Sequence, residues 1–383
     1  MIYSLYFFFQ LPGLILTENS LANSYYIIIS LIAIFSVAAS HDKILNKNTF
    51  YITSIIILTP IVFVYGYLSW EWIIKTHNLN MYGTWPHVFY DIENFSTNLI
   101  RSSGLARSAM ILFIPLFFVL LIQPIKSLYL IFYLFLSSII YLTQSRIVLL
   151  YHFIFLIFSI VYLMWNESLK QKIIKIIILV LLPIITFNLT LLTKEEMRSG
   201  YLSKKIGLEY NKERSKKFFS EYNKKFDFVL KGDTRFKDPE NYIRNLDPTT
   251  FTSNRFGYWK SIIEESTRPI FGYGILGDRF LINFNSANTL IYSYASGGLI
   301  SFILMIVILL RYSYLCIYFI FFKKIPLKKE NTILLSSIFT ISFLMLRGIV
   351  EVGIGIFSID FLILLSCLIV CEQNLKKLYE KKK

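Results

Sequence analysis

The stretch GLARSAMILFIPLFFVLLI, residues 104–122, carries a single charged residue, Arg107, close to its beginning. Its apolar side chains fall on every face of a helix, whereas a helix of a soluble protein has one apolar stripe. A helix needs about 20 residues to cross the hydrocarbon core of a bilayer, which is about 30 Å thick. This stretch therefore predicts a transmembrane helix.

The whole composition agrees with that prediction. Hydrophobic residues make up 55% of the 383 positions and charged residues only 16%, against about 25% charged residues in a soluble domain. We predict an all-α polytopic membrane protein of about ten transmembrane helices. The predicted spans are 3–17, 21–40, 49–69, 104–122, 128–145, 147–165, 172–193, 288–311, 331–350 and 354–371.

These spans divide the chain into three regions. Residues 1–193 form an N-terminal membrane region of about seven helices, residues 194–287 a large polar loop, and residues 288–383 a C-terminal membrane region of about three helices with a basic tail. Lysines recur in alternate short loops, as cytoplasmic loops require. This pattern predicts that both termini are cytoplasmic and that the large loop is periplasmic.

The net charge of +15 does not indicate nucleic-acid binding. The lysines lie mainly in the short loops, the large loop and the tail, and no basic segment has the interleaved aromatic residues that a strand-binding groove needs. We expect no nucleic-acid partner.

Four arginines lie at the predicted outward ends of spans and are the first candidates for chemistry: Arg101, Arg107, Arg146 and Arg347. A single such arginine can be an interfacial anchor whose charge reaches the water. Four on one side of the membrane favour a binding site, because arginine grips phosphate groups with two parallel hydrogen bonds. Glu351 lies four residues after Arg347 and is expected to pair with it. We therefore expect an anionic ligand such as pyrophosphate.

A metal or nucleotide site is not expected. Cys316, Cys367 and Cys371 lie in or beside apolar runs, and His77 and His87 have no ligand cluster around them. Residues 272–277 match a dinucleotide fingerprint by letter, but no strand–helix unit surrounds them. We predict no cofactor.

Several short motifs together resemble the O-antigen polymerase and O-antigen ligase superfamily of bacterial membrane glycosyltransferases. They are Ser145-Arg146 after a span, Asn254-Arg255 with Trp259, Pro269-Ile-Phe-Gly-Tyr-Gly274, Ala287-Asn288 followed by Gly297-Gly298, and Arg347-Gly-Ile-Val-Glu351 with Asp360. The dominant loop late in the chain matches the family topology too. The resemblance covers residues from about 100 to about 365.

The resemblance implies a fold like that of GT-C membrane glycosyltransferases and an enzyme that joins repeat units carried on undecaprenyl pyrophosphate at the periplasmic face of the inner membrane. It implies no metal. Arg146 and Arg255 would stabilise the pyrophosphate leaving group as catalytic residues. The substrate-binding residues would be Arg101, Arg107, Arg347, Asn288 and Glu351. Candidate partners are membrane lipids and a chain-length regulator and flippase of the same pathway.

Two alternatives remain open at this point. A ligase that transfers polymer to lipid A-core is disfavoured, because the ligases carry a histidine where this chain has Ala287. A transporter or flippase of lipid-linked sugar would favour charges in the middle of spans and an internal repeat, and neither is evident in the sequence.

Overall fold

The computed structural model of the protein describes residues 2–15, 20–39, 47–76, 102–123, 126–143, 145–166, 169–189, 255–282, 286–323, 325–326 and 328–380. Every regular element within these ranges is helical, which confirms the predicted all-α class. Arg101, His77, His87 and the first half of the large loop lie outside the described residues.

In the described part of the chain, eight helices lie before the large loop. They are α1 (Ile2–Phe8), α2 (Leu11–Ile15), α3 (Ser20–Ala39), α4 (Lys47–Thr76), α5 (Ser102–Ile122), α6 (Ser127–Thr143), α7 (Arg146–Asn166) and α8 (Leu169–Ile176). A π-helical turn, Ile177–Leu181, continues α8.

Five helices follow within the described residues. They are α9 (Arg255–Glu265), α10 (Gly277–Ile282), α11 (Thr289–Ile317), α12 (Thr332–Gly348) and α13 (Ile359–Glu380). A π-helical turn, Tyr318–Phe322, extends α11, and a 3-10 turn, Lys329–Asn331, precedes α12.

Three of the described helices are long and apolar enough to cross a membrane: Gly104–Ile122, Thr289–Phe322 and Lys329–Gly348. The other apolar helices are shorter within the described residues, so the total of about ten spans stays a prediction. The helix predicted over 288–311 continues through the apolar residues after Arg311 to Phe322.

The chain forms two compact units. One contains Met1–Lys47, Lys204–Tyr318 and Ile341–Gln373, and the other contains Asn48–Ser203, Phe319–Thr340 and Asn374–Lys383. Each unit joins segments that are far apart in the sequence. The first unit holds the C-terminal half of the large loop together with the N-terminal helices, and the second holds most of α4 to α8.

The segment predicted as the first span, 3–17, is two short helices that break at Phe9–Gln10. Aromatic side chains hold α1 in the first unit, since the ring of Phe361 lies 5.1 Å from those of both Tyr3 and Phe7. The Tyr6 hydroxyl also donates to the Gly355 carbonyl at 3.0 Å. The N-terminal segment is therefore part of the core of this unit.

Candidate functional site

The beginning of α11 is the centre of the candidate site. Ala287 has a positive φ of 49°, which is uncommon for a residue with a side chain, and it reverses the chain into an extended Asn288. The Asn288 Oδ1 then accepts hydrogen bonds from the backbone N–H groups of Leu290 and Ile291 at 2.8 and 3.0 Å. Asn288 is therefore the N-cap of α11.

The same residues connect α11 to the turn that follows α12. The Asn288 Nδ2 donates to the Ile349 carbonyl at 2.8 Å, and the Thr289 hydroxyl donates to the Glu351 carbonyl at 2.9 Å. Asn288 thus uses both ends of its side-chain amide, one for its own helix and one for a neighbour.

This turn carries the ion pair that the sequence predicts. The Arg347 Nη2 lies 3.2 Å from the Glu351 Oε2, and the two side chains are 5% and 33% exposed. A buried guanidinium keeps its charge, so this cation acts in an environment of low polarity where a phosphate would interact with it more strongly than in water. Glu351 is the more accessible member of the pair.

Helix α9 joins the site through Trp259. Its Nε1–H donates to the Ser286 carbonyl at 2.7 Å, directly before the reversal at Ala287. Since α9 begins at Arg255, the helix that carries this predicted catalytic residue is fixed to the start of α11. The structure describes the backbone of Arg255 and not its side chain.

A buried carboxylate, Asp278, holds the segment that leads into α11. It accepts hydrogen bonds from the backbone N–H groups of Arg279 at 2.9 Å and Ser286 at 2.8 Å. Burial raises the pKa of the Asp278 carboxyl, and these hydrogen bonds partly oppose that rise. Asp278 therefore fixes the chain where it enters α11.

The motif of residues 269–274 fills a break in α11. Gly297 and Gly298 have non-helical backbone angles, so the helix leaves backbone groups unpaired at this point. The Tyr273 and Gly274 N–H groups donate to the Ala295 and Ser296 carbonyls at 2.9 and 2.7 Å.

These contacts explain the glycines that match a dinucleotide fingerprint. Gly272 and Gly274 have positive φ values of 61° and 81°, and a Cβ on Gly272 would lie 2.6 Å from the Gly298 nitrogen. The glycines are needed for close packing between backbones. Within the described residues no strand precedes them, as the sequence analysis expects.

The structure brings some of the predicted site residues together. Asn288 bonds to the turn that carries the Arg347–Glu351 pair. The helix that begins at Arg255 bonds to Ser286, two residues before Asn288. Arg107 and Arg146 belong to the other compact unit, and Arg101 lies outside the described residues.

In that other unit a buried polar pair lies beside the turn with Arg146. The Tyr141 hydroxyl and the His152 Nε2 are 2.6 Å apart, and they connect α6 to α7 across the turn where α7 begins at Arg146. Arg107 is half-buried on α5. The side chain of Arg146 is not described.

Two buried ionisable residues, Asp278 and His152, were not predicted from the sequence. Asp278 follows the glycine-rich motif and looks like an ordinary acidic loop residue, and His152 lies inside an apolar run as one polar residue. An ionisable residue in a membrane span is a signal by itself, and it could have identified His152. No local signal distinguishes Asp278.

Metal ligands do not cluster in the described residues, where no group of three or more His, Cys, Asp or Glu side chains converges. Within the described residues, Cys316, Cys367 and Cys371 are buried and form no disulfide. The chain matches no protein-family model, and searches of curated proteins and of solved structures returned no match.

Proposed function

We propose that this protein is a membrane glycosyltransferase that polymerises oligosaccharide repeat units carried on undecaprenyl pyrophosphate into O-antigen or a related surface polysaccharide. The proposal places the reaction at the periplasmic face of the bacterial inner membrane. It rests on the resemblance of the sequence motifs to the O-antigen polymerases and on one observation in the structure. That observation is the buried Arg347, which is paired with Glu351 in the turn whose Ile349 carbonyl accepts a hydrogen bond from Asn288.

In this reaction a sugar hydroxyl of one repeat unit attacks the anomeric carbon of the growing chain. The new glycosidic C–O bond forms as the bond to the pyrophosphate breaks, the pyrophosphate departs with the electron pair, and the attacking hydroxyl loses its proton. Negative charge grows on the leaving oxygen, and fixed cations aimed at that charge lower the barrier. Arg146 and Arg255 would perform this role, with Arg101, Arg107 and Arg347 binding the substrate phosphates.

The Arg347–Glu351 ion pair supports phosphate binding because it fixes the position of the guanidinium. A free arginine side chain loses rotamer entropy when it binds phosphate, but Glu351 already holds the Arg347 guanidinium. Glu351 is itself held at its backbone carbonyl by Thr289. A cation that is fixed in advance can stabilise a transition state without reorganisation at the moment of reaction.

The experiment compares single variants in a host that lacks its own polymerase. Arg146→Ala and Arg255→Ala should abolish the ladder of polysaccharide lengths while the protein still inserts in the membrane. Lys260→Ala is the matched control, because Lys260 is an exposed cation on the same helix as Arg255 and pairs only with Glu264 in the described residues. Wild-type ladders from both arginine variants would contradict the arginine clamp.

A lipid-linked sugar transporter is the second candidate, and the break in α11 at Gly297-Gly298 favours it. Discontinuous helices surround the binding sites of many transporters. An assay of purified protein in detergent distinguishes the polymerase from the transporter, because a micelle has no second compartment into which a lipid could be transported. Polymer formed from lipid-linked repeat units there supports the polymerase. Movement of labelled lipid across a sealed vesicle with no polymer supports the transporter.

A further inference from the structure

One face of α11 is exposed and apolar, and this face begins at Leu299. The exposed apolar residues recur at helical spacing of three or four and so form one stripe: Leu299, Ile303, Val307 and Leu310. Arg311, which is 42% exposed and paired with Glu372, ends this stripe. Before Leu299, none of residues 289–298 is exposed. This stripe lies within Thr289–Phe322, which is long and apolar enough to cross a membrane. The lipid-facing part of α11 therefore starts at the glycine break.

A turn from the large loop is fixed at the beginning of this stripe. The Leu299 N–H donates to the Pro269 carbonyl at 2.7 Å, and the Gly272 N–H donates back to the Arg268 carbonyl at 3.0 Å. The next two side chains, Ile270 and Phe271, are 55% and 42% exposed. Two large apolar side chains thus extend from the turn beside the first lipid-facing residue of α11.

A cation stands at the start of the same turn. The Arg268 guanidinium carbon lies 5.4 Å from the centre of the Tyr273 ring, within cation–π range. Thr267 holds that ring in place, since its backbone N–H donates to the Tyr273 hydroxyl at 2.9 Å. Within the described residues, the Arg268 Nη1 is buried and makes no hydrogen bond. The Arg268 side chain as a whole is only partly buried, so its other N–H donors can reach an anion outside the chain.

We propose that the Arg268–Phe271 turn binds the bilayer, with Ile270 and Phe271 among the acyl chains and Arg268 on a lipid phosphate. An arginine beside exposed apolar side chains and a lipid-facing stripe fits a membrane surface, because its stem can lie against acyl chains while its charged group reaches a phosphate. The occupant is the lipid of the leaflet at the Leu299 end of α11. This inference does not depend on the proposed function.

The apolar contact can be tested by fluorescence quenching on full-length protein in phospholipid nanodiscs. Cysteine at position 271 (Phe271→Cys) would carry an environment-sensitive label, with Lys260→Cys on α9 as the control, because the Lys260 side chain is 74% exposed. The native cysteines are buried, and wild-type protein gives their background. Lipids with a spin label near the carbonyl should quench the label at 271 several-fold more than the label at 260. Aqueous iodide should do the reverse. Equal iodide quenching at both positions would overturn the proposal.

The phosphate contact needs a separate measurement. Native mass spectrometry of protein from mixed micelles of phosphatidylglycerol and phosphatidylcholine would count retained phospholipids. Arg268→Gln should reduce retained phosphatidylglycerol several-fold, whereas Arg268→Lys should keep part of it and Lys260→Gln all of it. Wild-type retention by Arg268→Gln would overturn the phosphate contact. Retention at Arg268 of added polyprenyl pyrophosphate but of no phospholipid would also overturn it, in favour of the carrier lipid.

Discussion

The side-chain amide of Asn288 donates a 2.8 Å hydrogen bond to the backbone carbonyl of Ile349, 61 residues later in the chain. Its oxygen meanwhile caps α11. One side chain thus fixes the start of α11 and the turn that carries Glu351. Thr289, the next residue, bonds to the Glu351 carbonyl, so two neighbouring residues of α11 hold the turn that follows Arg347.

Replacing Asn288 should separate its two roles. Asn288→Ala removes the cap and the bond to Ile349, and we expect a loss of about 2 kcal/mol, about half from the cap and half from the unpaired carbonyl. Asn288→Asp keeps an oxygen that can cap the helix but cannot donate to Ile349. Thermal unfolding in detergent should therefore rank wild type above Asn288→Asp and Asn288→Ala lowest.

The polymer ladder gives the second measurement on these variants. If the connection to Ile349 positions the ion pair, Asn288→Asp should shorten or remove the ladder although it still caps α11. A normal ladder from Asn288→Asp would show that the cap alone is sufficient and that the interhelical bond has no part in the reaction.

Replacing Glu351 should destabilise the protein more than replacing Arg347. Glu351→Leu leaves the Arg347 cation buried without its carboxylate, and we expect a cost of up to about 3 kcal/mol. Arg347→Met keeps most of the buried stem and leaves a carboxylate that is 33% exposed and can reach water. Thermal unfolding should show the larger loss for Glu351→Leu.

Activity should run in the opposite order for the same two variants. Arg347→Met removes the cation that would bind phosphate and should abolish the ladder, whereas Glu351→Leu keeps the cation and should retain some polymer at a temperature where it is folded. A wild-type ladder from Arg347→Met would remove Arg347 from the proposed substrate site.

Asp278 should make the stability of the protein depend on pH. Burial raises the pKa of its carboxyl in the folded protein, so the folded state binds this proton more tightly than the unfolded state. The contribution of Asp278 to the free energy of unfolding is then largest below the ordinary carboxyl pKa, and it falls as the pH rises through the raised folded value. When the unfolding temperature is measured from about pH 4 to about pH 7, the loss of the Asp278 contribution should lower it as the pH rises.

Asp278→Asn tests that assignment. The amide has one oxygen and can keep only one of the two backbone hydrogen bonds, so it should cost about 1–3 kcal/mol and remove the Asp278 part of the pH dependence. Glu264→Gln is the control, since it removes a carboxylate that is 62% exposed and lies outside the Asp278 site. A pH profile for Asp278→Asn identical to that of wild type would contradict the prediction.

Gly298 should tolerate no side chain. Its φ of +63° and ψ of −158° lie in a region almost confined to glycine that costs about 1–3 kcal/mol for other residues, and a Cβ would lie 2.6 Å from the Phe271 nitrogen. Gly298→Ala should lower the unfolding temperature by several degrees, because the turn at residues 269–271 must move away from α11.

Gly348→Ala is the matched control for that change. A Cβ at Gly348 would meet only side-chain atoms, the Ile354 Cδ1 and the Thr289 Oγ1, each at 3.2 Å, and Gly348 needs no positive φ. A loss of stability from Gly348→Ala as large as that from Gly298→Ala would show that backbone strain and the contact with Phe271 are not the cause.

Much of the helical structure could be predicted because its cause is local. The apolar runs predicted as 128–145 and 331–350 are found as helices Ser127–Thr143 and Thr332–Gly348. The pair of Arg347 and Glu351 was also expected from their four-residue spacing, and it forms although Glu351 lies beyond the end of α12. In such cases the signal and the structure lie in the same few residues.

Much of the candidate site could not be predicted, because its contacts join residues that are far apart in the sequence. Tyr6 and Ser293 share a hydrogen bond of 3.0 Å across 287 positions, and no local pattern encodes that contact. The role of Asp278 depends on the Ser286 N–H, which reaches it only after the chain has turned at α10.

The sequence alone thus determined that the protein is helical and apolar enough for a membrane, because long apolar runs have one stable arrangement in a bilayer. It also pointed to arginines and to the glycine-rich turn as special. Only the tertiary structure decided that this turn completes the break in α11 and that Asn288 joins α11 to the Arg347–Glu351 turn. Hydrogen bonds between distant segments form only where packing brings a donor to an acceptor, and packing depends on the whole chain.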